Sequence, residues 1–180
     1  MSKNKNTHCL TVMPNKGFTL IELLIVIAII AIIAAVVFVA LDPLTRFRDA
    51  RDAHRWSDIA AVLDGIKVDQ VDNGGAYMTA MDNACGAEAG EVFMVTDGVV
   101  ATGCADSDAN CDVNVAEGDN CVNLATLVTE GYIGAVPISP DGAGTWTASS
   151  TGYTLQCDTT GIVTVRACES EGTDAIWIAR

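Results

Sequence analysis

The sequence predicts an α+β chain: a long N-terminal α-helix, apolar in its first half and amphipathic in its second, packed on a small antiparallel β-sheet head. Three observations carry that expectation. Residues 18–41 (FTLIELLIVIAIIAIIAAVVFVAL) form an almost unbroken apolar run. Residues 44–72 interleave charged side chains with apolar ones at helical spacing. Residues 152–157 (GYTLQC) and 162–166 (IVTVR), separated by Asp-Thr-Thr-Gly, read as a β-hairpin with β-branched strands.

The boundaries follow from these textures: a leader at 1–17, an apolar membrane helix at 18–41, its amphipathic continuation at 42–75, and a globular α+β head at 76–180 with a cysteine-rich loop. At about 1.5 Å per residue, the apolar run is long enough to cross the roughly 30 Å hydrocarbon core of a bilayer. It exceeds the roughly 7–15 apolar residues of a secretory signal core. Lys3, Lys5 and Lys16 precede the run and Arg46, Arg48, Arg51 and Arg55 follow it, so charge counting leaves the orientation open. Glu22 is the single ionisable side chain inside. A charge within a bilayer costs on the order of 2.5 kcal/mol or more. Glu22 therefore either reaches water from about one turn inside the interface or meets a positive partner. Ala28, Ala31 and Ala35 fall at spacings of three and four, a stripe along which a second apolar helix can approach.

Asp42-Pro43 reads as an N-cap followed by proline at the first helical position, where a second helical segment restarts with a kink. Asp42 with Arg46 and Arg48 with Asp52 stand at i,i+4. Trp56, Ile59, Leu63, Ile66 and Gln70 trace a mostly apolar stripe suited to lie on a sheet, and Asn73-Gly74-Gly75 ends the helix. Residues 18–72 as one helix would measure about 80 Å.

Residues 16–26, Lys-Gly-Phe-Thr-Leu-Ile-Glu-Leu-Leu-Ile-Val, resemble the class III signal of type IV pilins and of the related pseudopilins of type II secretion systems. The resemblance implies cleavage between Gly17 and Phe18 by a prepilin peptidase, which also N-methylates Phe18. It implies that Glu22 is the assembly glutamate, pairing with the Phe18 amine that only cleavage creates, its own or a neighbour's. The implied partners are the prepilin peptidase/N-methyltransferase, other copies of the chain and related pilins, an inner-membrane assembly platform and the lipid bilayer. The implied location is the inner membrane, as a single-pass precursor with its N-terminus in the cytoplasm, and then an extracellular fibre or a periplasmic pseudopilus. Many pilins have a proline within the membrane half of the helix; residues 18–41 have none.

In the head, residues 76–121 read as a long cross-linked loop with one short strand at 92–95. Residues 122–131 read as a short amphipathic helix, and the Tyr132-Ile133, Pro137 and Pro140 passage resembles one found in pseudopilins and small pilins. Residues 175–178 offer another strand, for a sheet of three or four antiparallel strands against the amphipathic helix. Cys9 lies in the leader, which leaves Cys85, Cys104, Cys111, Cys121, Cys157 and Cys168 in the head. An even count in an exported domain points to disulfides, with metal binding as the competing reading; no pair has Cys-x-x-Cys spacing. Cys157 and Cys168 flank the hairpin turn and are the first pair expected. Asp106, Asp108, Asn110, Asp112 and Glu117 occupy positions 1, 3, 5, 7 and 12 of an EF-hand-like calcium loop, but Cys111 stands where that loop needs glycine. No cofactor is expected, with calcium the one candidate.

The chain has 10 basic and 23 acidic residues, a formal net charge of −13. Cleavage after Gly17 removes three lysines and no acid, leaving seven basic residues and a charge of −16. Such a surface repels nucleic-acid phosphates, so the head alone is not expected to bind DNA. His8 lies in the leader and His54 stands on the amphipathic helix without a partner evident in sequence, so no catalytic constellation emerges and no enzyme is expected. A subunit of a pilus or pseudopilus is the first reading. The alternative is a single-pass anchored binding domain that does not polymerise.

Overall fold

The computed structural model describes residues 17–98, 110–115, 121–172 and 175–180. The chain divides after Pro43 into two compact units.

The first unit is built on α1 (Leu20–Leu41). Thr19 caps it in extended conformation, and Asp42 closes it at φ 34, the one non-glycine with positive φ among the described residues. A short polar side chain tolerates that conformation better than most. Pro43 then opens α2 (Pro43–Asp72), at a position where a missing N–H leaves no hydrogen bond unmade.

The second unit is the head. Five strands, β1 (Val92–Thr96), β2 (Cys121–Asn123), β3 (Tyr153–Cys157), β4 (Val163–Ala167) and β5 (Trp177–Ala179), form one sheet in the order β2-β1-β3-β4-β5. All neighbours are antiparallel except β1 and β2, which run parallel with Val95 opposite Val122. The sheet therefore exceeds the three or four antiparallel strands expected. The extra strand occupies the start of the helix predicted over 122–131, which contracts to α3 (Ala125–Thr129). Asn123 makes the junction: its Oδ1 accepts from the backbone N–H groups of Gly98 and Ala125, both at 2.9 Å, so one side chain ties strand, loop and helix start together.

α2 lies on one face of the sheet. Ile59, Val62, Leu63 and Ile66 pack in one core with Phe93, Val95, Tyr153, Leu155, Val163 and Val165. Full burial of a large apolar side chain contributes about 1.5–3 kcal/mol. Met94, Val115, Trp146 and Cys168 form a second cluster, Met94 pointing away from its buried strand neighbours as strand alternation requires. The buried stripe of α2 is rotated from the expected one. Trp56 is 42% exposed and Gln70 is only half-buried, while Asp52, Arg55 and Asp69 are buried. The expected Arg48–Asp52 pair does not form either, because Asp52 turns inward to Arg55. α2 ends as predicted, in a Schellman motif: the N–H of Gly74 donates to Val71 and that of Gly75 to Gln70, with both glycines at positive φ. At Gly65 a Cβ would sit 2.6 Å from Ile133 Cγ2, so a bare backbone lets the segment after α3 press onto α2.

The cysteines pair differently from expectation. Cys85 bonds to Cys157, and Cys111 to Cys168. Cys157–Cys168 is excluded by the hairpin register: Cys157 faces Val163 at the turn end, whereas Cys168 follows Ala167, which faces Tyr153 at the far end. About five residues at roughly 3.4 Å each separate them along the hairpin, well beyond the roughly 7 Å that a disulfide can span between Cα atoms. They also belong to clusters on different sides of the sheet. Cys121 is oxidised as well, and Cys104 lies outside the described residues.

Candidate functional site

The start of α1 is organised by its own residues. Thr19 and Glu22 form a capping box: the Thr19 hydroxyl accepts from the Glu22 N–H at 3.3 Å, and Glu22 Oε2 accepts from the Thr19 N–H at 3.3 Å and from its hydroxyl at 3.2 Å. Both bonds satisfy amides that have no partner within the helix. The carboxylate thus lies over the first turn, close in sequence to Phe18, at the positive end of the helix dipole. The Thr-x-x-Glu spacing before an apolar run is the sequence signal for this box, and it is absent from the expectations above.

From Gly17 to the end of α1 no residue is buried. Phe18 is 78% exposed, and Ile25, Ile29 and Ile32 are at least half exposed. Ala28, Ala31 and Ala35 are exposed too, so no described residue covers their stripe. This helix is long and apolar enough to cross a membrane and finds no core of its own.

The head carries a polar site that sequence reasoning missed. Arg55 is fully buried. Its Nη1 donates to Asp52 Oδ1 at 2.7 Å and Glu171 Oε1 at 3.1 Å, its Nη2 to the Pro140 carbonyl at 2.8 Å and Glu169 Oε1 at 3.1 Å, and its Nε to Ser139 Oγ at 3.1 Å. The carboxylates are satisfied in turn. Asp52 accepts from the backbone N–H groups of Glu171 and Gly172, at 3.0 and 2.8 Å to Oδ2. Glu169 accepts from Ala143 N–H at 2.7 Å and Trp146 Nε1 at 2.9 Å. Arg51 forks onto Glu171 through Nε and Nη2. The hydrogen bond from Arg51 holds the Glu171 carboxyl below its usual range against the opposing effect of desolvation.

Beside this cluster, Tyr153 donates to Asp58 Oδ2 at 2.5 Å, and His54 Nδ1 stands 2.8 Å from the same oxygen. His54 thus has the partner that its sequence context did not reveal. Burial, with the Asp58 hydrogen bond second, pushes the Tyr153 phenol far above its ordinary value, so it remains a donor. Every group in these networks is held by another part of the same chain. The arrangement fastens α2 to the sheet.

Residues 13–38 match the prokaryotic N-terminal methylation motif. The match is consistent with a type IV pilin-like protein, and the α+β arrangement of helices and sheet is pilin-like. No curated protein and no solved structure matches the chain. The methylation motif points to a structural pilin-type protein rather than an enzyme, and with α1 it fits a membrane-anchored precursor. It spans the residues assigned from sequence to processing and assembly: Gly17 and Phe18 lie exposed just before α1, and Glu22 lies in its first turn.

Of the calcium candidates, Asp106, Asp108 and Glu117 lie outside the described residues, as does His8. Asn110 and Asp112 are exposed, and the intervening Cys111 is bound to Cys168. Among the described residues no three His, Cys, Asp or Glu side chains group to hold a metal ion.

Proposed function

We propose that this chain is a structural subunit, pilin or pseudopilin, that is cut between Gly17 and Phe18, N-methylated at Phe18 and assembled through α1 into a type IV pilus-like or type II secretion pseudopilus fibre. One observation carries the reading: the methylation motif opens a 22-residue apolar helix in which no side chain is buried. A helix of this kind needs either lipid or other helices around it. Moving from the first to the second is what assembly does.

In this reading the membrane peptidase and N-methyltransferase and an inner-membrane assembly platform are the first partners, and other copies are the lasting ones. Neither a catalytic role nor a cofactor enters. Glu22 is the assembly group. In the uncut chain it accepts from the Thr19 N–H, and cleavage before Phe18 creates a charged amine for which this carboxylate is the nearest anion in the helix.

N-terminal mass spectrometry of material sheared from the cell surface tests the whole sequence of events. The expected mature chain begins at N-methyl-Phe18. Recovery of surface chains that retain Met13 to Gly17 would sink the reading and leave the anchored, non-polymerising binding domain. Glu22→Gln isolates the assembly step, since it removes only the charge. It should be cut and inserted like the parent but be lost from sheared fibres when no parental copy is present; parental abundance there would remove Glu22 from assembly.

A further inference from the structure

Two features of the head complement each other. The first is a cleft of about 450 Å³ between α2 and the segment after α3, with Ala61, Gly65, Val68 and Ile133 among its apolar lining. Asp58, which holds Tyr153 and His54, and Asp64, which pairs with Arg180, lie on its wall, and Asp72 accepts from the hydroxyl of the lining Tyr132 at 3.1 Å. The second is the start of α2, residues 44–48 (LTRFR). Leu44 is 68% and Phe47 63% exposed, and Arg46 and Arg48 are exposed and take part in none of the ion pairs among the described residues.

Charge makes the match selective. A processed chain with a formal charge of −16 repels its own copies. Of its seven basic residues, Arg51, Arg55 and Arg180 are held in ion pairs within the chain, Lys67 is spent on Gln70 and the Tyr77 ring, and Arg166 stands on β4 with no ion pair among the described residues. Arg46 and Arg48 are thus two basic residues two positions apart, unpaired among the described residues, with the exposed Phe47 between them. The apolar cleft beside α2 has carboxylates at its edge, the complement of that pair.

We propose that residues 44–48 of one copy dock in the α2 cleft of a second copy, Phe47 entering beside Val68 and Ile133 while Arg46 and Arg48 meet Asp72, since Asp64 is already paired with Arg180. The contact rests on the fibre reading and deepens it. Knob and cleft sit at different places on the same unit, so between parallel copies the contact is head-to-tail and propagates from copy to copy. From Phe47 to Gly65 is 18 residues of helix, so parallel partners are offset by about 27 Å along α2.

The test uses the full chain in cells. Phe47→Cys with Val68→Cys, treated with a short bis-maleimide, should give a ladder of cross-linked multimers in sheared fibres, whereas Phe47→Cys with Ile162→Cys should not. Arg46→Glu with Arg48→Glu should lower ladder yield by about tenfold, and adding Asp72→Arg should restore part of it. Fibres of normal abundance with no Phe47/Val68 ladder overturn the contact and leave the fibre reading standing. Absence of the chain from sheared fibres sinks the fibre reading and this contact with it. If the Phe47→Cys thiol is shielded from a water-soluble maleimide in anionic vesicles but open in fibres, residues 44–48 belong to a lipid surface and the contact is overturned.

Discussion

α1 and the head solve opposite problems. In α1 all 22 residues are exposed within the chain, and the stabilising polar device is the capping box at its first turn. The head buries an arginine with no exposed surface at all and surrounds it with three carboxylates, one from its own helix and two from a distant stretch. The first region takes its stability from whatever surrounds the molecule. The second makes its own, in part through a polar cluster that tolerates little disturbance. Changes in α1 should therefore be felt in insertion and assembly, and changes in the head in folding.

The severest test of that division is Arg55→Met. Removing the cation leaves Asp52, Glu169 and Glu171 facing one another while largely dehydrated, and disrupting a buried pair in this way costs about 3–5 kcal/mol. Chemical denaturation followed by tryptophan fluorescence should register the loss, since Trp146 donates to Glu169. Membrane insertion of α1 should not change. Parental stability in this variant would show that the cluster is dispensable.

Next is Cys85→Ser with Cys157→Ser, which opens a covalent link spanning 72 residues. The expected loss is about 2–4 kcal/mol. Peptide mapping of the parent under non-reducing conditions should recover Cys85 with Cys157 and Cys111 with Cys168. A Cys157–Cys168 peptide would contradict the hairpin register itself.

Acid probes the head at smaller amplitude. Because Arg51 holds the folded Glu171 carboxyl below the ordinary glutamate value of 4.5, its contribution is fully present above about pH 4.5 and fades as pH falls through the lower folded value. Glu171→Gln should flatten the fall in head stability below that pH. An unchanged acid limb would place the linkage on other carboxylates.

The mildest effect belongs to Thr19→Ala, which deletes half of the capping box and should cost about 1 kcal/mol of local helix stability. Amide exchange in lipid nanodiscs should accelerate at Ile21 and Glu22 while the head stays protected. Equal exchange would mean that lipid or neighbouring groups satisfy the first turn.

How much of this is legible in the sequence follows the same division. The extent of α1 is carried by consecutive residues, and the Gly74-Gly75 stop and the hairpin around Asp158 have local chemistry that a short window can see. Arg55 has no such signature. Its partner Asp52 three residues earlier looks like an ordinary surface pair, and Glu169 and Glu171 are brought in by the sheet from more than a hundred residues away. That is also why the sequence misplaces the buried stripe of α2 toward Trp56: hydrophobicity counts an arginine as an outward residue, while the fold reserves the inward position for it. β2 escapes notice because three residues before a helix make no alternation, and its pairing is parallel and non-local. The Cys157–Cys168 expectation fails because it takes two cysteines on either side of a turn to be symmetric about it, which the register of β3 and β4 does not honour.

The sheet has two ends, β2 and β5, and among the described residues each is a strand of three residues. An open sheet edge is a template on which another strand can add, and the hazard grows with the local concentration of identical chains. A fibre would hold its heads at a concentration that no solution reaches. Edges this short offer few consecutive backbone groups for a neighbour's strand to extend, so crowded heads can touch through side chains while their sheets stay separate, and the fibre can remain a stack of individual folds without becoming an amyloid.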